Sequence, residues 1–168
     1  MLKAHTHNSN QMEQNTLLIV LRVIVVLNVG CISGAAVWAH ENDIFTLSSS
    51  YSFFWLISIL SFFASCSSYL LLKTNASVAS SKFSFVLCGL VTFFWLCVAV
   101  SVASVCRDCI YLKSHAGSYN PGQVDYSTNT CSGEIIATTF GFASLIVWGL
   151  LCYLIGKNVL SGKPSFVV

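Results

Sequence analysis

The chain has 168 residues, of which 55% are hydrophobic and 8% charged, and its formal net charge is +2. Soluble domains carry about a quarter charged residues, so a water-exposed fold of this size has too little polar surface here to cover its apolar side chains. The positive charge is small and scattered, with no basic run and no aromatic-interleaved basic patch, which excludes a nucleic-acid footprint.

In chain order, residues 1–15 form a polar N-terminal tail without a strong pattern. Residues 16–39 follow as an apolar run broken only by Arg22 and Asn28. Further runs at 53–72, 83–105 and 135–155 contain no charged residue. Each reaches the roughly 20 residues that a helix needs to cross about 30 Å of hydrocarbon. Lipid offers no partner to backbone N–H and C=O groups, so the spans must be helices, and barrel strands would be shorter and alternating. The expected fold is an all-α membrane protein, a four-transmembrane-helix bundle over 16–156, with a cytosolic C-terminal tail at 157–168. The first run is too long for a signal-peptide core and lies behind a polar lead, so it reads as an uncleaved span. Trp38, Tyr51, Trp55, Tyr69, Tyr111 and Tyr153 stand near span ends, as expected of interfacial aromatics.

Orientation follows from Lys and Arg outside the spans. With both termini in the cytosol, Lys3, Lys73, Lys82, Lys157 and Lys163 lie inside, and Arg107 and Lys113 lie outside. The sequon Asn75-Ala76-Ser77 then faces the cytosol and stays bare.

Five of the eight cysteines, Cys31, Cys66, Cys88, Cys97 and Cys152, fall inside apolar runs and read as small packing residues. The other three lie in the long polar segment from Cys106 to Glu134, on the side where disulfides persist. A Cys109–Cys131 bridge would close this segment, worth about 3 kcal/mol by chain entropy. Cys106 abuts the apolar run and competes for Cys131. Cys106-Arg107-Asp108-Cys109 is also a C-x-x-C, which raises a membrane thiol oxidoreductase as an alternative, although such chemistry needs a second exchanging pair. Zinc would require His115 as fourth ligand at a spacing that matches no closed site.

Within the spans, Arg22 lies six residues past Thr16, roughly 9 Å, so its stem can reach the headgroups. It reads as an anchor to lipid phosphate or as a partner for a helix or specific lipid. Asn28 sits deeper and can bond a neighbouring helix. No acidic residue lies inside the four runs to form an ion relay. Small residues make faces suited to close helix approach: Gly30 and Gly34; Ser58, Ser61, Ser65 and Ser68; and Ala137 with Gly141. These faces hold a bundle together or mediate self-association. A serine-lined channel or small transporter is the further alternative, without a charged ring or filter segment to support it. His5, His7, His40 and His115 lie outside the spans, and no nucleophile–base constellation or phosphate loop occurs. No catalytic, cofactor or metal residue is therefore assigned.

The layout of four spans, short first and second loops, a longer cysteine-bearing third loop and cytosolic termini resembles the MARVEL-domain tetraspan proteins, in particular the fungal non-classical-export-like branch. Two stretches carry the resemblance. The first is Leu21-Arg22-Val23-Ile24, with Gly34 twelve residues after Arg22. The second is Cys131, Ala137 and Phe140-Gly141-Phe142, with Cys109 upstream. Ser132 stands where the family often has an arginine. Claudin-like proteins differ by a long first loop with Trp and paired cysteines, and tetraspanins by a Cys-Cys-Gly in a larger third loop. The resemblance implies a non-enzymatic protein without cofactors that organises membrane microdomains or plasma-membrane and vesicle architecture. It implies an eisosome-type plasma-membrane location, with secretory membranes as the other site. The implied partners are membrane lipids and lateral homo- or hetero-association.

Overall fold

A computed structural model describes residues 2–41, 49–74, 82–115 and 131–160. All four elements are α-helices: α1 (Leu2–Glu41), α2 (Ser49–Thr74), α3 (Lys82–His115) and α4 (Ser132–Leu160). The Asn75 sequon and the segment from Ser161 lie outside the described residues, as do the side chains of His5, His7 and His115.

The helices outrun the apolar segments that seed them. The polar stretch expected as an N-terminal tail is helical from Leu2. It contains no Gly or Pro, and a nucleated helix extends at one backbone bond per residue. For the same reason α3 continues through Cys106 to His115, where a loop is expected, and Gly117 follows two residues later. Residues 157–160, expected in the C-terminal tail, close the last turn of α4.

Among the described residues four stretches are long and apolar enough to cross a membrane: Gln14–His40, Ser49–Thr74, Lys82–Tyr111 and Ser132–Leu160. Each is at least 26 residues long, or roughly 39 Å at 1.5 Å per residue. The helices form a ring in which α1 touches α2 and α4, and α3 touches α4 and, more sparsely, α2.

The bundle carries a stripe of buried polar side chains through an apolar core and is greasy outside. Asn28, Ser58, Ser65 and Ser144 are fully buried, whereas Val26, Phe63, Phe83 and Ile146 are each more than 60% exposed. In water this arrangement would be costly on both counts, and in hydrocarbon it is favourable on both. The chain is an integral, multi-pass membrane protein.

Glycine sets the α1–α4 seam. A Cβ on Gly30 would collide with the Phe140 ring, and one on Gly34 would fall 2.8 Å from Ile136 Cγ2 and 3.1 Å from the Ala137 backbone nitrogen. The Gly30/Gly34 face is thus occupied within one chain. At the far end of the seam, Gly133 lies directly on the Trp38 backbone. Trp38 is only 3% exposed. Instead of joining an interfacial belt, it packs edge-on against Tyr51 at 5.2 Å and against Phe54 at 6.4 Å. Tyr111 and Tyr153 do face outward.

Candidate functional site

The serine face of α2 is the polar axis of the bundle. Its spacing of three and four turns Ser58, Ser61 and Ser65 inward, all at most 2% exposed. Ser58 Oγ donates to the Phe54 carbonyl at 2.7 Å, and Ser65 Oγ donates to the Phe62 carbonyl at 2.8 Å, so both hydroxyls satisfy themselves on their own helix. Ser61 Oγ accepts from two indoles, Trp95 Nε1 of α3 at 3.0 Å and Trp148 Nε1 of α4 at 2.9 Å. Asn28 Nδ2 of α1 donates to Ser65 Oγ at 3.3 Å. Two serines of one helix therefore tie down all three others. The indoles fill the space beside Ser61, so the stripe packs a core and lines no open pore at that level.

Substitution of Ser61 by Ala strands two indole N–H groups where water is absent. Interhelical hydrogen bonds in membranes contribute about 0.6 kcal/mol on average and up to about 1.7, so a combined loss of about 1–3 kcal/mol is expected. Thermal unfolding in detergent, followed by tryptophan emission, reads this loss. Ser61→Thr, which keeps the hydroxyl, is the control.

Ser68 is half-buried and lines a crevice of about 60 Å³ among the helices, together with Ser84, Leu87, Cys88 and Trp148. Gly141 faces Phe54 and Trp95, whose nearest atoms would be 3.7 Å and 4.0 Å from a Cβ there, an ordinary contact distance. Ala137 is fully buried against α1.

The inward face of α4 extends further than the Ala137–Gly141 pair. Glu134, Ala137, Gly141, Ser144, Trp148, Leu151, Ile155 and Asn158 are all buried and succeed one another at intervals of three and four. Glu134 belongs to the first turn of this helix and is 4% exposed, where the positive end of the helix dipole favours a carboxylate. The uncharged run begins at Ile135 and leaves Glu134 in the loop, which the structure corrects. Continuing the three-and-four spacing one step back from Ala137 reaches Glu134, and continuing it forward from Gly141 through Ser144, Trp148, Leu151 and Ile155 reaches Asn158. Ser144 also meets Cys31, with their side-chain heteroatoms 3.5 Å apart.

At the same end of the bundle as Glu134, Cys109 and Cys131 form a disulfide with a Cα–Cα distance of 6.2 Å. Cys131 holds φ at 54°, a left-handed conformation uncommon outside glycine, and its carbonyl accepts from the Ile135 amide at 3.1 Å as α4 begins. Cys106, the competitor, is a free thiol, 8% exposed. Among the described residues no group of three His, Cys, Asp or Glu side chains could hold a metal ion.

At the opposite end, Arg22 is exposed on the outer face of α1. Its Nη2 donates to Tyr69 Oη of α2 at 3.0 Å, and its guanidinium lies 5.6 Å from the Tyr69 ring centroid. Gln14 Nε2, on the same helix, donates to the Leu72 carbonyl in the last turn of α2 at 3.3 Å.

Comparison with protein-family models, curated proteins and solved structures returns no match. The functional reading therefore rests on the geometry and on the resemblance described above.

Proposed function

We propose that this protein is a non-enzymatic membrane scaffold that organises lateral microdomains or the architecture of the plasma membrane and vesicles, in the manner implied by its MARVEL-like layout. One observation carries the reading. The central hydroxyls that a channel would turn toward a pore are spent on holding the helices together, with Ser61 closed by two indoles and Ser65 held by Asn28. What remains for interaction is a broad apolar exterior. The Cys109–Cys131 bridge supports an oxidising side for the α3–α4 connection, and hence cytosolic termini. It also leaves Cys106 without Cys109 as a redox partner, which weakens the thiol oxidoreductase alternative.

Two measurements test the proposal together. A tagged full-length copy is expected to form slowly exchanging patches in a live membrane, and purified protein in liposomes is expected to pass no solute and reduce no quinone. A uniform lateral distribution combined with solute flux or quinone turnover overturns the reading.

A further inference from the structure

An arginine inside a membrane span is costly unless its charge reaches a partner or the headgroup layer. By insertion scales an arginine at the centre of a transmembrane helix costs about 2.5–3.5 kcal/mol. Among the described residues Arg22 has no carboxylate near it, and its one hydrogen bond there goes to the neutral Tyr69 hydroxyl. The described acidic side chains, Asp108 and Glu134, belong to the disulfide end of the bundle. The guanidinium has five N–H donors, so Tyr69 leaves most of the fork unengaged. It orients that fork from both its hydroxyl and its ring face.

The surroundings add a second, independent observation. Beside Arg22 lies an open groove of about 440 Å³ whose other walls are Val25 and Val26 of α1 and Cys66, Tyr69 and Leu70 of α2. Arg22 and Tyr69 are its only polar margin apart from the Cys66 thiol. Lys73 stands four residues after Tyr69 on the exposed surface of α2, one turn nearer the helix end at Thr74. Tyr69 is five residues from that end, roughly 8 Å, which is within reach of headgroup phosphate for a long cationic side chain.

We infer that Arg22, Tyr69 and Lys73 form a binding site for one anionic glycerophospholipid, whose phosphate sits on the Arg22 fork and whose acyl chain lies in the groove along Val25, Val26, Cys66 and Leu70. The phosphodiester supplies the missing negative charge and two non-bridging oxygens that can accept from the fork in parallel. Lys73 favours a headgroup with net negative charge over a zwitterionic one. The groove, open to the bilayer and walled by hydrocarbon, takes a chain that free phosphate does not have. The site requires only the membrane-spanning bundle. Lipid retention is read on purified protein and clustering in live membranes, so failure of one leaves the other standing.

The test uses full-length protein in nanodiscs of equimolar phosphatidylglycerol and phosphatidylcholine with matched chains, followed by native mass spectrometry of the lipid retained after transfer to detergent. The wild-type protein is expected to retain one phospholipid, enriched about tenfold in phosphatidylglycerol, the effect of one charge-assisted contact. Lys73→Gln is expected to bring the two lipids to parity, and Arg22→Gln to weaken retention of both. Val26→Trp, on the lipid-facing surface, fills the groove while keeping both cationic residues in the chain and is expected to abolish retention of either lipid while the unfolding temperature is kept. Retention in the bulk ratio by the wild-type protein overturns the inference, whatever the variants do. So does an unchanged preference in Lys73→Gln, or undiminished retention in Arg22→Gln or in Val26→Trp.

Discussion

Gly133→Ala is expected to be the most damaging glycine-to-alanine change among the described residues. The added Cβ would stand 2.5 Å from the Trp38 backbone nitrogen and nearer still to its Cα. Neither atom can swing aside as the end of a side chain would. Relief requires α1 and α4 to separate at the point where Trp38 also packs on Tyr51 and Phe54. Overpacking of a close-packed core costs about 1–3 kcal/mol and sometimes more, and a backbone-on-backbone clash belongs at the top of that range. Thermal unfolding in detergent should show a lowered midpoint for Gly133→Ala. Gly141→Ala, whose Cβ would meet Phe54 at 3.7 Å and Trp95 at 4.0 Å, should stay within about 0.5 kcal/mol of the wild type, as an unobstructed site does. Equal sensitivity of the two glycines would contradict the seam described here.

Loss of the Cys109–Cys131 bridge is expected to have the next largest effect. The bonded residues are 22 positions apart, and the chain-entropy relation gives about 3 kcal/mol for closing such a loop. Both loop ends already emerge from helices held by the membrane, so about 3 kcal/mol is the ceiling and the Cys109→Ser/Cys131→Ser double variant should lose between about 1 and 3. Non-reducing peptide mapping is expected to recover the Cys109 peptide linked to the Cys131 peptide, with Cys106 alkylated only after unfolding. A Cys131 peptide linked to Cys106 would refute the pairing.

Much of the architecture is legible in one dimension because lipid is a demanding solvent. A run such as 83–105 without a charge has few stable alternatives to a spanning helix, so the four spans follow from composition and length. The serine stripe is legible for a related reason: spacings of three and four place side chains on one helix face whatever lies opposite. The helix ends are less legible, because backbone hydrogen bonding does not stop where hydrophobicity does. Leu2 to Asn15 and Cys106 to His115 are helical although polar. Trp38 departs from expectation because an aromatic near a span end fits an interfacial belt and a core cap equally well, and only its neighbours distinguish the two.

By itself, then, the sequence determined the solvent, the number of crossings and which residues of each helix share a face, since these depend on local composition and on the 3.6-residue repeat. Tertiary structure alone decided that Ser61 receives both Trp95 and Trp148, that Gly133 meets the Trp38 backbone, and that Arg22 finds Tyr69 beside an apolar groove. Those pairings join residues far apart in the chain, from 34 positions for Ser61 and Trp95 to 95 for Trp38 and Gly133, and they depend on the rotation and depth of whole helices against one another. No local pattern encodes that quantity, because hydrocarbon is indifferent to which apolar face it touches and leaves the choice to close packing and a few buried hydrogen bonds.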